Sequence, residues 1–189
     1  MTRAVRWRLS CAAALVASCL GEALTCAQGT PATPPAKEAG EFVAGLYDLV
    51  SSSGGRLPDW DRVRAYFLPE AVIILRTSRT ATTTFSLQGF IEDFVGFYER
   101  PFKRDTVVVV PKDSGFTEKV VRLQSWEYGD MAHVLVLYEA RITGTAIAPQ
   151  LGVDSWLLVR RQGRWFIAAA TNEIVTADRP VPPELRVEK

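Results

Sequence analysis

"LQSWEYGDMAHVLVLYEA", residues 123–140, is the stretch whose reading decides the fold. Two runs rich in Val, Leu, Tyr and Trp flank Gly129-Asp130, a pair suited to a two-residue hairpin turn. Such a turn sets the register, because side chains alternate between the two faces of a strand. Trp126 then lies across from His133, and Gln124 from Leu135. "DSWLLVRRQGRWFIAAAT", residues 154–171, repeats the pattern around Gln162-Gly163. The expected pairs there are Trp156–Ala169, Leu158–Ile167 and Arg160–Trp165 on one face, with Leu157–Ala168 and Val159–Phe166 on the other. Both faces of both hairpins are apolar at their centres. A sheet with one wet face alternates instead. Helices can cover one face, so a second copy of the chain is expected on part of the other, as a homodimer.

Those helices are expected upstream. "EFVAGLYDLVSS" (41–52) places Phe42, Leu46, Leu49 and Val50 on one face. "PDWDRVRAYF" (58–67) has Asp59 as N-cap and Trp60, Val63 and Phe67 at helical spacing. In "SLQGFIEDFVGFYER" (86–100) the apolar stripe is Leu87, Phe90, Ile91, Phe94, Val95 and Tyr98, with Ser86 as cap and Pro101 as stop. Strands are expected over 71–77 and 80–85, and the two hairpins come after "RDTVVVVP" (104–111). Three helices first and a long antiparallel meander afterwards make an α+β domain, over residues 41–176.

Both ends of the chain differ from this middle. "MTRAVRWR" carries three arginines and no acid, and "LSCAAALVASCL" (9–20) is small and apolar. Twelve such residues fall short of the roughly 20 that span a bilayer, so residues 1–27 have the form of an export signal cleaved after Ala27. The rival is Val16-Ala17-Ser18-Cys19, the form of a bacterial lipoprotein box with Cys19 lipidated. A periplasmic or secreted protein is expected in the first case, and a membrane-anchored one in the second. Cleavage at Ala27 also removes Cys11, Cys19 and Cys26, so thiolate chemistry and disulfides leave with the signal. The remaining chain has 19 basic and 20 acidic residues. That balance gives no footprint for nucleic acid. "QGTPATPPAKEAG" (28–40) reads as a Pro-rich spacer, and residues 177–189 as a C-terminal tail.

Three segments together, "PDWDRVRAYFLPEAVI" (58–73), "SGFTEKVVRLQSWEYGDMAHVLVLYEAR" (114–141) and "GVDSWLLVRRQGRWFIAAATNE" (152–173), resemble the nuclear transport factor 2-like superfamily and are most similar to its SnoaL-like bacterial branch. The most specific part is Gly-x-Asp-Ser at 152–155 followed by "GRWFI". The resemblance implies a cone-shaped, curved antiparallel sheet wrapped around the helices, with a pocket at its open end. It also implies dimerisation through the outer face of the sheet. The superfamily holds isomerases, dehydratases, cyclases and proteins of no known activity, so fold and function are separate questions. Its enzymes place an Asp, His or Tyr in the cone at positions that differ between branches, and the motif assigns none of them here.

The candidate chemistry is therefore read from residue types. His133 is the single histidine; it is either a neutral general base in an apolar pocket or a packed residue with a hydrogen-bond partner, and the packed role is expected. Asp154 is either a carboxylate raised in pKa by apolar walls or a strand-end acceptor. Phe94, Tyr98, Trp126, Trp156 and Asn172 are candidate pocket residues. One histidine and no mature cysteine give no basis for a metal site. "SSSGGR" lacks the ending of a phosphate loop, and Ser155 sits in a strand rather than at a nucleophile elbow. Two functions follow: a binding protein for a small apolar molecule, or a lyase or isomerase using His133 or Asp154 as base. Neither calls for a cofactor.

Overall fold

The structure, a computed structural model, describes residues 38–54, 56–76, 80–99, 101–104, 107–111 and 114–186. The expected export signal, the spacer up to residue 37 and the end of the tail lie outside the described residues. Helix α1 spans Ala39–Val50 and is followed by strand β1, Ser52–Gly54. Its buried stripe is Phe42, Val43, Leu46, Tyr47 and Val50, so Val43 and Tyr47 face inward with Phe42, Leu46 and Val50, while Leu49, expected on that face, is half-buried. The helix is anchored at its start by Glu127, whose carboxylate accepts the Ala39 N–H at 2.6 Å. Negative charge is favourable at that end of a helix.

Helix α2 is shorter than its periodicity suggests, Trp60–Arg64. Asp59 caps it as expected, accepting from the Arg62 N–H at 3.1 Å. Phe67, expected on this helix, instead opens strand β2, Phe67–Arg76. Next come β3, Thr82–Ser86, and helix α3, Leu87–Glu99, where the Ser86 hydroxyl accepts the Gly89 N–H at 3.2 Å. Strands β4, Phe102–Arg104, and β5, Val107–Val110, pair with each other as a separate ribbon. Four long strands follow, β6 (Ser114–Tyr128), β7 (Met131–Ile142), β8 (Gln150–Arg161) and β9 (Arg164–Ile174), and the described tail ends in a 3-10 turn, Pro183–Leu185.

The main sheet has seven strands in the order β1-β6-β7-β8-β9-β2-β3. It is mixed rather than wholly antiparallel, because β2 lies parallel to β9. The expected antiparallel meander is thus β6 to β9, and β2 with β3 is added at its far edge. The pairing of β2 jumps from Phe67↔Ile167 to Val72↔Ala169. Pro69, which has no N–H to give the ladder, falls within that irregular segment.

The first hairpin has the expected register, Trp126↔His133 and Gln124↔Leu135, with Gly129 at φ +58° in the turn. The second holds only as far as Leu158↔Ile167. Beyond it a bulge at Ala168 shifts the pairing by one, so Leu157 meets Ala169 and Trp156 meets Ala170. A second bulge lies at Val121 on β6. Bulges bend strands and strengthen their twist, and these two curve the sheet towards α1 and α3. Val134, Val136, Ile167, Ile73, Val43 and Val63 fill the space between, each almost fully buried.

The long helices leave the outer face of the sheet open, but a C-terminal 3-10 turn, Pro183–Leu185, packs over part of it: Leu185 is fully buried, Leu137 on β7 nearly so, and Arg122 on β6 donates to the Arg186 carbonyl at 2.6 Å. One row across the outer face runs Trp126, His133, Leu157, Ala169, Val72. Trp126 is 45% exposed, Leu157 51% and Val72 44%.

Candidate functional site

A cavity of about 60 Å³ lies between α1, α3 and the inner face of the sheet. Its walls are mostly apolar: Leu46 and Val50 from α1, Phe90 and Phe94 from α3, Leu75 from β2, Trp156 from β8 and Ala170 from β9. Five polar side chains converge on it, namely Tyr47, Glu118, Tyr138, Asp154 and Asn172, with Thr171 at the edge.

Each arrives there for a local reason. Asp154 and Trp156 are two apart on β8 and share its inner face. Tyr138 pairs with Gly152, where any Cβ would stand 2.3 Å from the tyrosine ring. The glycine of the Gly-x-Asp-Ser motif thus lets the Tyr138 ring lie across β8. The aspartate of the same motif enters the cavity, and the serine faces the other way. Glu118 enters from β6, alternating with Phe116 and Val120.

The polar groups form two chains. Trp156 Nε1–H donates to Tyr47 Oη at 3.1 Å, and the Tyr47 hydroxyl donates to Asp154 Oδ2 at 2.5 Å. On the other side the Arg76 N–H donates to Asn172 Oδ1 at 2.6 Å, and Asn172 Nδ2 donates to the Tyr138 hydroxyl at 3.4 Å. The Glu118 carboxyl receives a hydrogen bond from none of the described residues; only its backbone is engaged, through Ser51.

Electrostatics follow from this enclosure. Burial pushes the Asp154 carboxyl up to about 7, and the Tyr47 hydrogen bond opposes the rise. Burial, and then the neighbouring Asp154, pushes Glu118 up to about 8. Glu118 is half-buried as a residue, and desolvation of its carboxyl is the largest cause of the rise. Burial and the same acids raise Tyr47 and Tyr138 well above the ordinary phenol value. No Lys, Arg or His is among the lining residues. The described residues contain no group of three or more His, Cys, Asp or Glu able to hold a metal ion.

Of the residues singled out from the sequence, Asp154, Trp156, Asn172 and Phe94 line this cavity. His133 does not. It sits on the outer face, stacked on Trp126 at 5.4 Å between centroids, with Nε2 2.8 Å from Ser155 Oγ. A general-base role for His133 inside the cone is corrected by this placement: inner-face residues of β7 are even-numbered near its middle, and 133 is odd. Trp126 belongs to the outer face for the same reason. Tyr98 is buried behind the cavity, its hydroxyl donating to the Phe116 carbonyl at 3.5 Å. Tyr47 and Glu118 were not singled out. Both carried a readable signal: Tyr47 is a hydroxyl-bearing residue in step with Val43 and Val50, and Glu118 is a charge in an otherwise apolar alternation.

No protein-family model matches the sequence, and no curated protein does. Solved structures do. A nuclear transport factor 2-like protein of unknown function from Pseudomonas putida is similar at 9% identity, over 78% of this chain and 92% of its own, with a TM-score of 0.53. A second, from Novosphingobium aromaticivorans and described as having a cystatin-like fold, is 12% identical over 74% of this chain and 82% of its own, at 0.52. The CaMKII hub homology domain of Chlamydomonas reinhardtii is 9% identical over 71% of this chain and 92% of its own, also at 0.52. Identities this low speak to fold and leave the SnoaL-like branch as a resemblance of sequence. The chain has the nuclear transport factor 2-like, cystatin-like fold.

Proposed function

We propose that this chain is an exported protein that binds a small molecule in the cavity beneath α1 and α3. The observation that carries the reading is the composition of the cavity: aromatic and aliphatic walls around a few convergent polar groups, the usual make-up of small-ligand sites. Filling the cavity tests it. Ala170→Leu should leave the fold intact and remove the stabilisation given by a panel of small aromatic fragments such as phenol, indole and benzyl alcohol. That stabilisation should be read as a melting-temperature rise of roughly 2–4 °C per kcal/mol of binding. A panel that never raises the melting temperature of the wild type counts against the reading.

A second reading is favoured by one observation: Asp154, raised towards neutrality, touches a phenol donor. A carboxylate poised near neutral pH suits a general base, so a lyase or isomerase acting on an acidic C–H is the alternative. His133, on the outer face, has no part in it. Solvent deuterium appearing in a bound carbonyl compound, lost in Asp154→Asn, would favour this reading.

Export rests on residues 1–27, and homodimerisation on the exposed apolar row Trp126, Leu157 and Val72 of the outer face. Mass spectrometry of the mature protein should find its N-terminus near Gln28. Lipid on Cys19 would replace that cleavage with the lipoprotein route, and an intact Met1 would overturn export.

A further inference from the structure

Two carboxyl groups face the same small cavity with no countercharge. Asp154 is 8% exposed and has one partner, Tyr47, which approaches from α1. Glu118 is half-buried as a residue, and its carboxyl has no hydrogen-bond partner among the described residues. The other titratable groups near them are phenols, Tyr47 from α1, Tyr138 from β7 and, beside Glu118, Tyr98 from α3; Asn172 from β9 is neutral. A buried carboxylate without a partner is costly, and the usual remedies are neutralisation or pairing with a cation. The remaining walls are the faces and edges of Phe90, Phe94 and Trp156. Aromatic faces attract cations, tryptophan most strongly.

From this arrangement we propose that the ligand is a small organic amine, bound as its ammonium ion, with the charged nitrogen between Glu118 and Asp154 and its apolar body against Phe90, Phe94 and Trp156. An ammonium group brings three donors, which match the open oxygens of Glu118 and the second oxygen of Asp154. A bare metal ion fits less well, since two carboxylates in an aromatic chamber leave most of a hard cation's oxygen shell unfilled. The proposal rests on the small-molecule reading above and names its ligand class.

Because burial holds both acids partly protonated near neutral pH, an arriving ammonium ion must displace protons. Binding should therefore strengthen as pH rises through neutrality, for as long as the amine stays charged.

The test compares benzylamine with its neutral isostere benzyl alcohol, by calorimetry on the full mature chain. At pH 8 benzylamine should bind at least about tenfold more tightly, the scale of one charge-assisted contact in a dry site. The preference should shrink towards pH 5, and paired buffers of different ionisation heat should reveal proton release. Glu118→Gln and Asp154→Asn, each checked by a thermal melt, should abolish the preference for benzylamine over benzyl alcohol. Benzyl alcohol binding as tightly as benzylamine would overturn the amine proposal and leave the pocket standing. So would benzylamine failing to bind while any neutral fragment of the panel does. Failure of both probes and of the whole panel would overturn the pocket as well.

Discussion

Tyr47 on α1 donates its hydroxyl to Asp154 on β8 at 2.5 Å, across 107 residues of sequence, and accepts the indole N–H of Trp156 at 3.1 Å. One phenol therefore ties the helix to the sheet and holds a cavity acid in place. Tyr47→Phe removes both bonds at once and leaves two buried polar groups short of a partner. A destabilisation of roughly 1–3 kcal/mol is expected for such a loss. The Asp154 carboxyl should also titrate higher, because the bond that opposed its rise is gone. Urea melts and a carboxyl NMR titration read the two effects. An unshifted Asp154 would show that the hydroxyl is not its partner in solution.

Acid should stabilise this protein over part of the pH range. Asp154 and Glu118 are both raised by burial above their ordinary values near 4. The folded state thus holds protons that the unfolded chain has released, and stability falls as pH rises through the raised values. Their contribution is complete below about pH 4 and is lost as pH rises through about 7 for Asp154 and about 8 for Glu118. Melting temperature should decline over that interval in the wild type. Asp154→Asn and Glu118→Gln should each flatten the decline. A wild-type curve that instead rises steadily to pH 8, unchanged by either variant, would contradict the burial of these acids.

Gly152 lies under the Tyr138 ring with no room for a methyl group. Gly152→Ala should push the ring into the cavity, at a cost of about 1–3 kcal/mol for overpacking. Adding Tyr138→Leu should recover most of that loss, which a cost arising from the backbone alone would not allow. Chemical denaturation of the single and double variants decides.

The outer face is expected to bury itself against a second copy. Leu157, half exposed in the middle of the apolar row, is the position to charge. Leu157→Glu should turn a micromolar dimer into a monomer by light scattering while keeping the helical and strand signal. His133→Gln, on the same face, should leave ligand binding unchanged and cost stability through the lost Ser155 contact. A wild-type chain that is monomeric at high concentration removes the dimer.

Much of the architecture is legible in residue order. Gly129-Asp130 gives the first hairpin its turn, and the register from it is right at Trp126–His133 because no bulge intervenes there. The second hairpin departs after Leu158 because the Ala168-Ala169-Ala170 run has no side chain large enough to announce which alanine is squeezed out. β2 was readable as a strand, but its parallel placement beside β9 depends on a long-range pairing that no local pattern records. At the site, Gly152 and Asp154 were visible as a motif, yet the partner of Asp154 comes from a helix more than 100 residues earlier. Alternation shows which face a strand residue takes, and so it separates His133 from Tyr138. It cannot say which helix will bring a hydroxyl to meet Asp154.

Ligand entering the cavity beneath α1 and ligand adhering to the outer face are separable outcomes. Two tryptophans mark the alternatives: Trp156 with its N–H bonded to Tyr47 inside, and Trp126 stacked on His133 outside. The indole N–H resonances of both can be followed by NMR during a benzylamine titration. Binding in the cavity should give a saturable shift of the Trp156 signal with Trp126 unmoved, and no shift in Ala170→Leu. Movement of Trp126 alone, or a Trp156 shift that persists in the filled variant, would contradict it.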